Sequence, residues 1–202
     1  MMLLARMLVL GAFVLAAPMG CARGQAPSLR TAEVALAERA QRRGDRADAL
    51  QRASAIVSAY KAGGTRWTAM DRVAAGRAYL LLAAASATAV RQALAAFDAA
   101  TAADSTLLDA RLRAADLLLD KYNVPDAKAS YEDVLRRAPN DARALLGLAR
   151  IASQGGDPQA TTLLRRSLAA DPLLANAQLM LARVHLEAEA HDSATVAARR
   201  AL

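Results

Sequence analysis

Aromatic residues make up only 3% of this chain, cysteine occurs once and histidine twice. Each scarcity removes a class of protein. A single cysteine, Cys21, excludes an internal disulfide and a cysteine-based zinc cage. His185 and His191 stand six apart, would point in nearly opposite directions on one helix, and lack the i, i+4 spacing of a zinc helix. No metal site and no other cofactor is therefore expected. The glycine-containing run "QGGDPQ" (154–159) lacks the Lys and Ser/Thr of a phosphate loop, and no Ser, His and Asp arrangement stands out. No catalytic residue is assigned, and Trp67 and Tyr79 are expected to pack in the core or a linker rather than to hold a ligand.

What the chain has in place of aromatics is alanine, which supplies much of its 55% hydrophobic content. A core of that kind predicts thin helices packed closely, with no strands. The formal charge is +7, with 23 Arg against 3 Lys spread along the chain without a dense block. No aromatic-plus-basic platform accompanies the charge, so it reads as Arg- and Ala-rich codon usage and no nucleic-acid partner is expected.

The longest apolar run near the start, Met7 to Ala17, has 11 residues and is bounded by Arg6 and Pro18. A bilayer span needs about 20 apolar residues, so this is the grammar of a secretory signal and not of a permanent span. The stretch resembles a bacterial lipoprotein signal, with Gly20 directly before Cys21, although Pro18 and Met19 stand where that family usually has Leu and a small residue. The resemblance implies a lipid on Cys21; ordinary cleavage near Ala22 or Ala26 is the alternative. Residues 1–21 are thus expected to be the signal and 22–29 a tether. Ala22 after the cysteine is not the Asp associated with inner-membrane retention, which leans toward a periplasm-facing protein of the bacterial outer membrane.

The remainder repeats itself. "LLDARLRAADLLLDKYNVPDAKASYEDVLRRAP" (107–139), "ARALLGLARIASQGGDPQATTLLRRSLAADP" (142–172) and "ANAQLMLARVHLEAEAHDSATVAARRAL" (175–202) each hold an amphipathic run, a polar turn and a second run. Ala115, Ala149 and Ala182 sit midway along the first helices, and Ala127, Ala160 and Ala194 open the second ones. Tyr131, Leu164 and Ala198 follow one turn later, and Pro139 and Pro172 close two of the units. Two earlier units fit with Ala37, the turn pair Gly44 and Asp45, and Ala49, then with Leu81, Ala93, Phe97 and a closing Ser105. "GGTRWTAMDR" (63–72) separates them.

This pattern resembles the tetratricopeptide repeat family. The resemblance implies an all-α, right-handed superhelical solenoid with five units at about 30–63, 74–107, 108–140, 141–174 and 175–202, the last incomplete. Leu202 falls inside a second helix without the polar cap a solenoid end needs, which points to a longer protein.

The family's concave groove commonly holds an extended peptide. The matching positions here are Asp109, Leu112, Asp116 and Leu119; Arg143, Leu146, Arg150 and Ser153; and Asn176, Leu179, Arg183 and Leu186. Seven-residue spacing puts Arg143 with Arg150, and Asn176 with Arg183, on common stripes, offering guanidinium forks and an amide to a carboxylate or to backbone carbonyls. The acidic stripe of Asp109 and Asp116 beside them would favour a basic stretch. The function expected is an exported, lipid-anchored, non-catalytic scaffold for protein–protein interaction. The alternative is the N-terminal repeat arm of a longer exported enzyme: the run "LLLDKYNVPDAKASYEDVLRR...ALLGLAR" resembles exported proteins that carry a metallopeptidase-like domain further along, although no HExxH occurs in these 202 residues.

Overall fold

The computed structural model describes residues 28–63, 66–83, 87–121, 123–187 and 189–202. The expected signal (1–21), with Cys21, and the first part of the expected tether lie outside them. Among the described residues there are ten helices and no strand. They pair into hairpins: α1 (Leu29–Arg42) with α2 (Arg46–Ala62), α3 (Ala69–Leu82) with α4 (Ala87–Ala103), α5 (Leu108–Asp120) with α6 (Val124–Arg137), α7 (Ala142–Gln154) with α8 (Gln159–Ala170), and α9 (Ala175–Glu187) with α10 (His191–Arg200). Each second helix packs on the first helix of the next hairpin, and α1 touches α3 as α5 touches α7. The result is an all-α, right-handed superhelical solenoid whose first helices line one side. No described helix is long and apolar enough to cross a membrane.

One backbone device makes four of the hairpin turns. The amides of Asp45, Asn123, Asp157 and Ala190 donate to the carbonyls of Ala40, Leu118, Ala152 and His185, each five residues back, at 2.8–3.0 Å. This six-to-one bond closes a helix when the residue before the donor turns left-handed. Gly44 and Gly156 do so at φ 82° and 68°, and in the last hairpin Glu189 does so at φ 56°. The side chains of Asp45 and Asn123 then cap α2 and α6 by accepting from the amides of Asp48 and Asp126. This turn also places the two histidines on different helices: His185 belongs to α9 and His191 opens α10.

Packing follows the small residues. Ala115, Ala149, Ala127 and Ala93 are fully buried, Ala182 and Ala194 nearly so, and Tyr131, Leu164 and Phe97 fill the space between helices without any exposure. The second unit departs from expectation. Its first helix starts at Ala69, not 74, because Thr68 and Asp71 form a reciprocal capping box that recruits the end of the "GGTRWTAMDR" stretch into α3. The small residue midway along that helix is consequently Gly76. A Cβ there would overlap the Phe97 ring, whereas Leu81 is only partly buried at the edge of the core. At the other end of the expected tether, Leu29 is already the first residue of α1, with Ser28 as its cap.

The first two hairpins are further tied by charge. Asp71 receives hydrogen bonds from Ser28 Oγ, Thr68 Oγ1 and Arg30, and Glu38 on α1 pairs with Arg77 on α3. Trp67 and Tyr79 pack as expected. Tyr79 is 4% exposed, and Trp67 lies edge-on to Tyr60 at 4.9 Å, with the Arg30 guanidinium 4.0 Å from its ring centre.

Candidate functional site

The first helices of the last three hairpins enclose a groove of about 750 Å³. Five of the six polar residues anticipated for it line it: Asp116 from α5, Arg143 and Arg150 from α7, and Asn176 and Arg183 from α9. Asp109 stands two turns before Asp116, outside the lining, and meets the groove through its bond to Arg143. The floor is apolar, made by Leu146, Leu174, Leu179, Met180 and Val184.

The expected division into free basic and free acidic stripes does not describe this groove. Arg143 bridges Asp109 Oδ1 at 2.8 Å and Asp116 Oδ2 at 3.0 Å, while Arg113 holds the other oxygen of Asp109 at 2.7 Å. Arg150 pairs with Asp120 at 2.9 Å, and Arg183 with Glu187 on its own helix at 2.9 Å. The reason is geometric. First helices of consecutive hairpins lie side by side, so an acidic residue on α5 and an arginine at a comparable level of α7 meet across the interface before any ligand arrives. Asp120 and Glu187 were not singled out in the sequence. The i, i+4 spacing of Arg183 to Glu187 was the available signal for the second; for Asp120 the partner is 30 residues away and no local spacing marks it.

Below the arginines the network continues into the core. The Tyr131 hydroxyl donates to Asp116 Oδ1 at 2.7 Å. Burial first, and then the Asp116 carboxylate, push the phenol well above its ordinary range. For Asp109, burial alone would raise the carboxyl, but Arg113 and Arg143 outweigh it and hold it below the usual carboxylate range. The same two aspartates keep the Arg143 guanidinium raised against burial.

The anticipated leucines divide. Leu112 and Leu119 are each 3% exposed and belong to the core around Tyr131, so neither presents itself to the groove. They fall there because α5 buries two adjoining faces, against α6 and toward α7. Leu146 forms part of the floor, while Leu179 and Leu186 on α9 are 53% and 55% exposed. Asn176 and Ser153 are exposed, and their side chains have no hydrogen-bond partner among the described residues. The arrangement is thus a groove of mixed lining, with an apolar strip along its floor, paired charges along its walls and two polar side chains without a partner. Among the described residues, no group of three or more His, Cys, Asp or Glu could hold a metal ion.

No protein-family model matches this sequence, and no curated protein does. Solved structures of similar fold exist. A MamA double mutant, "MamA RS-1 ArsTM", is 18% identical, with a TM-score of 0.52 over 87% of this chain and 94% of that one. Another MamA crystal structure is 12% identical, with a TM-score of 0.52 over 82% and 92%. MamA from residue 41 onward of Desulfovibrio magneticus RS-1 is 20% identical, with a TM-score of 0.51 over 87% and 95%. At such identities the likeness concerns the fold alone, which is that of a tetratricopeptide-like helical solenoid.

Proposed function

We propose that this protein is an exported, lipid-anchored scaffold of the bacterial cell envelope, facing the periplasm, that holds a segment of another protein in the groove of α5, α7 and α9. The observation that carries the groove part of this reading is the apolar strip of Leu146, Leu179 and Met180 flanked by paired charges; the export and anchor rest on the sequence of residues 1–21. A bound segment would seat apolar side chains on Leu146, Leu179 and Met180 and would offer backbone groups to Asn176 and Ser153. Because the arginines are already neutralised, selection would rest on fit to the apolar strip and on hydrogen bonds to Asn176 and Ser153 more than on a charged stretch. This segment of the chain would act by holding, without chemistry of its own.

Site-specific photo-crosslinking tests the groove. A crosslinker at Leu179 should capture a partner that a crosslinker at Arg165, on the second helix of the neighbouring hairpin, does not. The Leu179→Asp change should remove that partner while leaving the fold intact. Equal capture from both positions, or capture indifferent to Leu179→Asp, would remove the groove from the account. The anchor is tested separately by the intact mass of native protein from the membrane fraction. That mass should show loss of residues 1–20 and addition of diacylglyceryl and acyl groups at Cys21.

A further inference from the structure

The turn between α1 and α2 concentrates positive charge that the rest of the molecule does not answer. Arg39, Arg42, Arg43 and Arg46 fall within eight residues, and all four are exposed. Every Asp and Glu of the chain lies among the described residues, and none pairs with these arginines. The nearby acids are engaged elsewhere: Asp45 accepts from the Asp48 amide as the cap of α2, and Glu38 holds Arg77 of α3.

The stripe of α1 that faces outward joins this cluster. Leu29, Ala32, Leu36, Arg39 and Arg43 are spaced by three and four residues, beside the face that buries Val34, Ala37 and Ala40. Leu29 is 86% and Leu36 41% exposed. A helix face with isolated leucines among unpaired arginines matches an anionic lipid interface, where apolar side chains enter the headgroup boundary and cations meet phosphates. Polyanions such as nucleic acid reward the charge but not the leucines. Chain length points the same way. The residues from Cys21 to Ser28 number 8, so a lipid on Cys21 and α1 would be separated by at most about 30 Å of extended chain.

We propose that this face of α1, with Arg39, Arg42, Arg43 and Arg46, rests on an anionic lipid surface and orients the solenoid on the membrane. The placement draws on the membrane-anchored reading above, but the surface chemistry is testable without the lipid. The probe is the full chain carrying Cys21→Ala, floated with vesicles of phosphatidylcholine alone and with vesicles that also contain phosphatidylglycerol. The chain should prefer the phosphatidylglycerol vesicles, and rising salt should erase the preference. Changing all four arginines to Gln should lower binding to the anionic vesicles by roughly tenfold or more and leave binding to phosphatidylcholine unchanged. Changing them to Lys should retain the preference, since the requirement is charge and not a fork.

A preference that persists in the Gln variant overturns the proposal. So does a cluster that retains nucleic acid or an acidic protein but not phosphatidylglycerol. If native Cys21 proves unmodified while the arginine-dependent preference holds, the lipid anchor fails and this surface stands. A lipidated Cys21 with no preference means the reverse.

Discussion

The ring of Tyr131 occupies the space that a side chain at position 147 would need. A Cβ built on Gly147 would overlap that ring, and Tyr131 itself has no exposure. The third and fourth hairpins therefore meet in close contact at Tyr131 and Gly147, and Gly147 also lines the groove.

Gly147→Ala should accordingly destabilise the protein although it improves helix propensity. Propensity would contribute up to about 1 kcal/mol in favour, and overpacking against a fully buried ring costs about 1–3 kcal/mol, so the net is a loss. Denaturant unfolding should show it. Combining Gly147→Ala with Tyr131→Leu should cost less than the sum of the two single changes, because the smaller side chain vacates the contested space.

The groove arginines should differ in what they hold. Arg143 joins two carboxylates of another hairpin and is about one third exposed, whereas Arg183 is 78% exposed and pairs within its own helix. Arg143→Ala should lower stability by about 1–2 kcal/mol, leaving Asp109 and Asp116 without their shared cation, and Arg183→Ala by less than about 0.5 kcal/mol. Equal losses would mean that the α5–α7 bridge adds nothing beyond a surface pair.

Acid should loosen the first interface. Burial by itself would raise the Asp71 carboxyl, but hydrogen bonds from Ser28 and Thr68, together with Arg30, outweigh it and hold it below its ordinary range. A carboxyl whose folded pKa is depressed contributes stability above its unfolded value of about 4 and loses that contribution as pH falls through the folded one. Stability should therefore decline below about pH 4, and Asp71→Asn should flatten that decline while lowering stability at neutral pH. A thermal-unfolding series against pH reads both.

Alkali should act through Tyr131. Its phenol is held above the ordinary range by burial and by Asp116, so the folded state resists ionisation more than the unfolded chain does. The contribution is fully present below about pH 10 and is lost as pH rises through the folded value. Tyr131→Phe should shrink the loss of stability above about pH 10, while costing about 1–2 kcal/mol at neutral pH for the lost bond to Asp116.

The last hairpin should be improvable at its turn. Glu189 adopts φ 56° where Gly44 and Gly156 serve in two earlier turns. Left-handed backbone costs a residue with a side chain about 1 kcal/mol, so Glu189→Gly should raise stability by about 0.5–1 kcal/mol. Hydrogen exchange in α10 should slow in step.

Much of this architecture was legible because each unit is a local event. The small residues Ala115, Ala149 and Ala182, the fillers Tyr131, Leu164 and Phe97, and the turn pair Gly44 and Asp45 act within one hairpin or between sequence neighbours. Their spacing thus appears directly in the chain, and the helix pairs follow from it. The second unit was less legible because Thr68 and Asp71 recruit into α3 a stretch that reads as linker, so Gly76 takes the place assigned to Leu81.

The sequence by itself determined that the chain folds into paired helices, since a helix's period and the turn residues between runs are local features. Only the tertiary structure decided what the groove residues do. Arg143 meets Asp109 and Asp116 across 34 and 27 residues of chain, and Arg150 meets Asp120 across 30. Those partners are chosen by how far one hairpin shifts and rotates against the next, a packing outcome that no local spacing encodes. The same packing turned Leu112 and Leu119 into core and left Arg39, Arg42, Arg43 and Arg46 unanswered, because no neighbouring element brings an acidic side chain to the α1–α2 turn.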